Sequence, residues 1–245
     1  MPRLRAVLWV LGALAGCATA SPRPVGPSSL GLSNRDTYRH YLASLPAALK
    51  MRHQVETRFG DRAEVVEGFC VLFRPERFWV RASAPFGGTL FEIKATSAHQ
   101  VQLLSGVAVT ADDRGPRYLA RDIRRIYLQD CAAGATLTAL RTGLRASCPL
   151  AADGGGIDTA RGRDPADDAL AVTVTKGGVV REKAFYRGGE LSALVRYDDY
   201  RLEGGLWLAH QIVLESHTAP YRLTIVLLDA DPSFDPAPLF ATAPE

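Results

Sequence analysis

The chain has 245 residues, 47% of them hydrophobic and 22% charged, which excludes a disordered or collagen-like chain and suits a globular protein with one sizeable core. Its 29 basic and 26 acidic residues give a formal charge of +3. Without Arg3 and Arg5, which fall in a leader, 27 basic residues stand against 26 acidic ones, too small an excess to drive nucleic-acid binding.

Residues 1 to 20, MPRLRAVLWVLGALAGCATA, carry two arginines, an apolar run from Ala6 to Ala15 and then small residues. This is the layout of a secretory signal, and the run is too short for a permanent membrane span. Leu14, Ala15, Gly16 and Cys17 have the residue types, spacing and position of a bacterial lipobox. The reading is a signal peptide over 1–16 and acylation (palmitate or similar chains) at Cys17, which anchors the mature lipoprotein to a membrane. Ala18, not Asp, follows the cysteine; by resemblance to the enterobacterial sorting rule, this directs the protein to the periplasmic face of the bacterial outer membrane.

Residues 17–33, rich in Pro, Ser and Gly, read as a tether able to reach about 50 Å. A single domain over 34–235 and a C-terminal tail over 236–245 are expected to follow. SNRDTYRHYLASLPAALKM predicts a helix with Ser33 or Asn34 as N-cap, Asp36 in the first turn, and Tyr38, Tyr41, Leu42 and Leu45 on one face. Pro46 ends it. HQVETRFG, AEVVEGFCVLFRP, RFWVRASAP, GTLFEIKAT and HQVQLLSGVAVTAD then read as strands, joined by short turns into an antiparallel meander.

GPRYLARDIRRIYLQDCA predicts a second helix, with Tyr118, Leu119, Ile123, Ile126 and Tyr127 at the helical period. Its Arg121, Arg124 and Arg125 read as a solvated face. TALRTGLRA is expected to add a turn of helix, and PLAADGGGIDTARGRDPADD to form a mobile surface loop. Five more strands follow: ALAVTVTK, GVVREKAFYRG, LSALVRYDDYRLEG, LWLAHQIVLESH and PYRLTIVLLDADPSF. About ten strands with two helices predict a mainly β, α+β fold, because a sheet of that size must curl or split. Closure around the helices gives an unclosed barrel with an apolar interior, a natural place for a lipid.

Three cysteines remain after Cys17. Cys131 and Cys148 bracket a loop whose closure could contribute roughly 3 kcal/mol, and they are the expected disulfide in an oxidising compartment. Cys70, inside FCVLF, reads as a buried thiol. No nucleophile, phosphate-binding or metal-ligand motif appears. His40, His53, His99, His210 and His217 are dispersed and read as ordinary surface, helix or strand residues. The acid pairs Asp112-Asp113, Asp167-Asp168 and Asp198-Asp199 lie in expected loops or strands and make poor dyads. DADPSFD lacks the Gly and final Glu of a calcium loop and reads as a polar turn. No metal, cofactor or enzymatic activity is expected. Phe78, Trp79, Phe91, Trp207 and Tyr221 could line a lipid cavity or fill a core.

One turn is unusual. In SAPFGGTLFEI two strands meet at Pro-Phe-Gly-Gly, which places Phe86 where turns normally carry polar residues. Either the ring protrudes or it folds back onto the sheet edge.

The order of lipobox, tether, amphipathic helix, strand meander, mid-chain helix and returning strands resembles LolB, the outer-membrane lipoprotein receptor, and its periplasmic carrier relative LolA. RFWVRASAPFGGTLFEIKATSAHQVQLL at 77–104 is similar to the segment of that family in which a strand ends in a Pro-apolar-Gly turn. VTADDRGPRYLARDI resembles the entry to the family's next helix, and WLAHQIVLES with YRLTIVLLD its closing hairpin. The resemblance implies an unclosed β-barrel capped by helices whose hydrophobic cavity takes up acyl chains of another lipoprotein. It also implies that a protruding apolar turn residue, here Phe86, inserts into the membrane during delivery, a chaperone-like step of protein transport. The implied partners are the membrane, held through the N-terminal lipid, acylated lipoproteins or lipids, and a LolA-like periplasmic carrier, with the protein a monomer. The long loop at 149–169 and the cysteine pair depart from the family. The alternative is a structural or assembly lipoprotein of the same fold that binds a protein partner through an edge strand.

Overall fold

Strands β1 (Ala48–Phe59), β2 (Arg62–Phe73), β3 (Arg77–Ser83), β4 (Thr89–Ala95) and β5 (Val101–Gly106) form a first meander, each paired antiparallel with the next. The second runs through β6 (Thr136–Leu140), β7 (Gly143–Pro149), β8 (Ala169–Thr175), β9 (Val180–Arg187), β10 (Glu190–Glu203), β11 (Leu206–Ser216) and β12 (Tyr221–Asp231). Pairing of β1 with β12 welds them into one 12-stranded antiparallel sheet, with β5 and β6 as its two ends. The computed structural model describes residues 26–83, 88–96, 101–106, 114–132, 134–150, 167–218 and 221–240. The leader, Cys17, Phe86, His99, Asp112, Asp113 and most of the Gly-rich loop lie outside them.

Strand alternation divides the sheet into two faces. On β1, Leu49, Met51 and His53 are buried on the concave side, whereas Lys50 and Arg52 are exposed on the other. Helix α1 (Asn34–Ser44) starts at Ser33, whose hydroxyl accepts from the Asp36 N–H at 3.2 Å, and stops short of Pro46. It buries Thr37, Tyr38 and Tyr41. Helix α2 (Arg114–Ile123) continues as a π-helical turn over Arg124–Leu128. Its Ala120, Ile123 and Leu128 share one apolar cluster with Leu49, Met51, Phe78 and Ile93 of the concave face.

The sheet has two strands more than expected, because TALRTGLRA is a hairpin and not helix. Leu144 and Ala146 alternate inward on β7, and the strand completes ladders with β6 and β8. Those ladders outweigh the weak helical preference of so short a segment. Gly143 is needed there, since a Cβ would lie 2.0 Å from the Val174 carbonyl oxygen. Cys131 and Cys148 form the expected disulfide, which ties the end of the helical segment to β7, and Cys70 is a buried free thiol.

Both ends of the described residues are docked. The Leu30 N–H donates to the Lys176 carbonyl at 3.0 Å, and Pro27 presses so closely on Gly177 that a Cβ there would lie 2.3 Å from the Pro27 oxygen. At the other end Ala237–Phe240 form a short helix, α3, whose Phe240 ring lies 6.0 Å from Phe73 on the convex face.

Candidate functional site

Successive rows across β1 to β4 show where the concave face is filled. Leu49, Leu72, Phe78 and Ala95 form one register row, and Met51, Cys70, Val80 and Ile93 the next; all eight are buried. The third row is His53, Gly68, Ala82, Phe91 and, on β5, Gly106. Here Gly68 and Phe91 are only half-buried, as are Val55 and Val66 in the row beyond. Apolar side chains that face inward yet stay half-exposed mark an end of the interior that α2 leaves open.

Buried charge joins the helical segment to the second meander. Arg125 is 0% exposed; its Nε and Nη2 donate to the two Asp167 oxygens at 2.9 and 2.8 Å, and Nη1 to Asp122 at 3.3 Å. The Ser192 hydroxyl donates to Asp167 at 2.6 Å, and the Tyr221 hydroxyl to Asp122. The bidentate fork satisfies a planar carboxylate and lets charge be buried at tolerable desolvation cost. Burial still pushes the Asp122 carboxyl above its ordinary range, against the pull of Tyr221, Arg121 and Arg125.

The π-turn frees carbonyl groups that need donors. The Tyr197 hydroxyl donates to the Ile126 oxygen at 2.5 Å, Lys183 Nζ to Gln129 at 2.7 Å and Arg74 Nη2 to Tyr127 at 2.6 Å. Two of these donors are cations at a helix C-terminus, where the dipole favours them. Lys183 also lies 3.0 Å from Asp130, which receives the Tyr41 hydroxyl. Burial pulls the Lys183 ammonium below its ordinary range, and Asp130 opposes that.

The expectation of a solvated arginine face therefore fails: Arg125 is buried, Arg121 and Arg124 are half-buried, and Asp167 is buried beside Arg125. Helical periodicity did not reveal this, because the partner carboxylate is 42 residues away. Of the aromatics named from sequence, Phe78, Phe91 and Tyr221 come to the concave side, Phe78 buried and Phe91 half-buried. Trp79 neighbours Phe78 on β3 and so faces the convex side, where it stacks edge-on against Phe69 and its indole N–H donates to Glu92 at 2.9 Å. Trp207, 36% exposed, is likewise opposite the inward Leu208.

His53 and His210 are both buried on this face, one on each side of Leu227. His210 Nδ1 lies 3.1 Å from the Leu227 carbonyl oxygen and Nε2 2.6 Å from a Glu203 carboxylate oxygen, a close contact outside hydrogen-bond geometry. His53 Nδ1 has no hydrogen-bond partner among the described residues. Desolvation lowers the His53 pKa from 6.5 to about 4, so the ring is neutral near pH 7.

No family model matches the sequence, and no curated protein matches it. The fold does match solved structures. A LolA superfamily protein from Nitrosomonas europaea aligns at a TM-score of 0.56 with 12% identity, covering 86% of this chain and 98% of that one. An outer membrane lipoprotein-sorting protein domain from Vibrio parahaemolyticus aligns at 0.53 with 10% identity over 81% and 91%. A DUF1329 family protein from Desulfovibrio piger aligns at 0.51 with 11% identity over 85% and 97%. The open, helix-filled sheet is the fold of LolA superfamily structures.

Proposed function

We propose that the protein is a membrane-anchored lipoprotein that receives acyl chains, free or borne by another lipoprotein, at the half-open end of its concave face and helps insert them into the outer membrane. The half-burial of Val55, Val66, Gly68 and Phe91 on the inner side carries the reading. A face that is apolar and concave but incompletely covered needs an apolar occupant. The fold supports the general role, since it is that of LolA superfamily and lipoprotein-sorting structures. Transfer is passive on this reading and needs no catalytic group.

Cys17 supplies the anchor and Phe86 the contact with the leaflet. Burying one Phe contributes roughly 1.5–3 kcal/mol, enough to bias orientation but not to hold the protein on a membrane. The docked strap constrains this step. Strand alternation puts the β8–β9 turn, where residues 27–30 attach, on the rim opposite the β3–β4 connection. From Cys17 to Gly26 the chain reaches about 30 Å at most, against about 40 Å for the length of β1. Phe86 therefore meets an anchoring membrane when the domain lies on its side or when the strap lets go.

Phe86→Glu tests the reading: the variant is expected to fold and localise normally yet fail to pass an acylated lipoprotein to membranes. Normal transfer by it would sink the mechanism. The edges that β5 and β6 leave unpaired among the described residues keep the strand-binding scaffold as the second reading; native mass spectrometry separates the two, since co-purified acyl lipid favours the carrier and a bare mass the scaffold.

A further inference from the structure

His53 buries a polar ring where the sheet offers it no partner. Its Nδ1 is sealed from solvent without a hydrogen bond among the described residues, and the whole residue is 6% exposed. Such groups are uncommon in native structures and call for an explanation. Packing alone does not supply one, because a leucine would fill the space without an orphaned nitrogen.

The neighbouring positions suggest what the ring is for. Gly68 and Ala82 follow it across β2 and β3 and place almost no bulk on the concave side. Gly68 is fixed as glycine, since a Cβ would lie 2.4 Å from the Arg81 carbonyl oxygen. Phe91 ends this low row, and Val55 and Val66 flank it. Ala82 is itself covered, whereas Gly68, Phe91, Val55 and Val66 stay half-buried beside the His53 ring, an apolar surface with one polar group next to it. An unpartnered acceptor is easier to tolerate than an unpartnered donor. That argument assigns the neutral ring's proton to Nε2, the nitrogen farther from the strand.

Building on the acyl-binding function above, we propose that the His53 Nε2–H donates a hydrogen bond to the ester or amide carbonyl of an acyl chain lying over Gly68. A ring held neutral by burial suits an uncharged carbonyl better than a desolvated carboxylate. His53 would then sense the linkage of the chain, while Val55, Val66 and Phe91 take its methylenes.

The test is calorimetric titration of the full chain with 1,2-dioctanoylglycerol and with its diether counterpart 1,2-dioctylglycerol, which has the same chains and no carbonyls. The wild type is expected to bind the ester roughly tenfold more tightly, the equivalent of one buried hydrogen bond. His53→Leu should bring the ester to the ether's affinity and leave ether binding unchanged. Equal affinities in the wild type, or a preference that survives His53→Leu, overturn the inference and leave the acyl-binding function standing. Binding of neither lipid overturns both. Should the variant fail to fold, the imidazole resonances of the unmodified protein decide: the His53 Nε2–H signal is expected to move with the ester and stay put with the ether, and the same response to both refutes the hydrogen bond.

Discussion

Two parts of the concave face treat polarity in opposite ways. Against the second meander Arg125, Asp122, Asp167 and Ser192 are buried together, with their hydrogen bonds made inside the protein. At the open end His53 is buried with Nδ1 unpaired, beside half-exposed valines and Phe91. The first arrangement fixes a helix to a sheet. The second leaves both space and one hydrogen-bonding group uncommitted, which is what a binding surface needs and a core avoids.

Variants at the buried charge and in the filled rows should cost the most stability. Arg125→Ala leaves two buried carboxylates with only the longer Arg121 and Arg187 contacts and is expected to destabilise by about 3–5 kcal/mol, read as a lowered urea midpoint. Phe78→Ala, at a fully buried position, should lose about as much. A loss under about 1 kcal/mol in either would mean that the position concerned does not hold the fold together. Replacing Cys131 and Cys148 with serine removes the tie between the helical segment and β7. It should lower stability by about 3 kcal/mol, with lipid binding retained at temperatures where the protein stays folded.

Acid should act at His53. The His53 pKa is about 4 in the folded protein against 6.5 when unfolded. The unfolded chain therefore takes up the proton first, and stability falls as pH drops from 6.5 to 4, by up to about 3 kcal/mol. Asp122 works against this, because its raised folded pKa adds stability as pH falls toward 3.8. Denaturation of wild type and His53→Leu at matched pH isolates the histidine: the difference between them should grow on acidification, and a constant difference would contradict the burial of a neutral ring. The smallest change in stability is expected for Phe91→Ala, about 1 kcal/mol for a half-buried ring, accompanied by the larger loss of lipid affinity. The reverse pattern would exchange the roles of Phe78 and Phe91.

Much of the fold could be read from the chain. Alternation in segments such as YRLTIV marked ten strands, the Ser33 cap and Pro46 bounded α1, and two cysteines in an oxidising compartment announced a bridge. The hairpin over Thr136–Pro149 was hidden because its stability lies in pairing with β8 and not in local preference. The buried Arg125 was hidden for a related reason, since arginine on a short helix is usually solvated and the carboxylate that changes this comes from a distant loop. The aromatic signal was half useful: adjacent Phe78 and Trp79 must face opposite sides of β3, a constraint the period-2 rule contains. His53 carried no sequence signal, because its meaning lies in the absence of a partner and in the small residues beside it on two other strands.

Val65 and Val66 permit the most direct test of the central claim. They are neighbours on β2, Val65 43% exposed on the convex side and Val66 half-buried on the concave side. A photoreactive amino acid at each position, irradiated with a diacylated lipopeptide carrying alkyne-tagged acyl chains, reports which face holds the lipid. The account predicts strong acyl cross-linking from position 66 and little from position 65. Equal labelling at the two positions, or labelling from 65 alone, would contradict it.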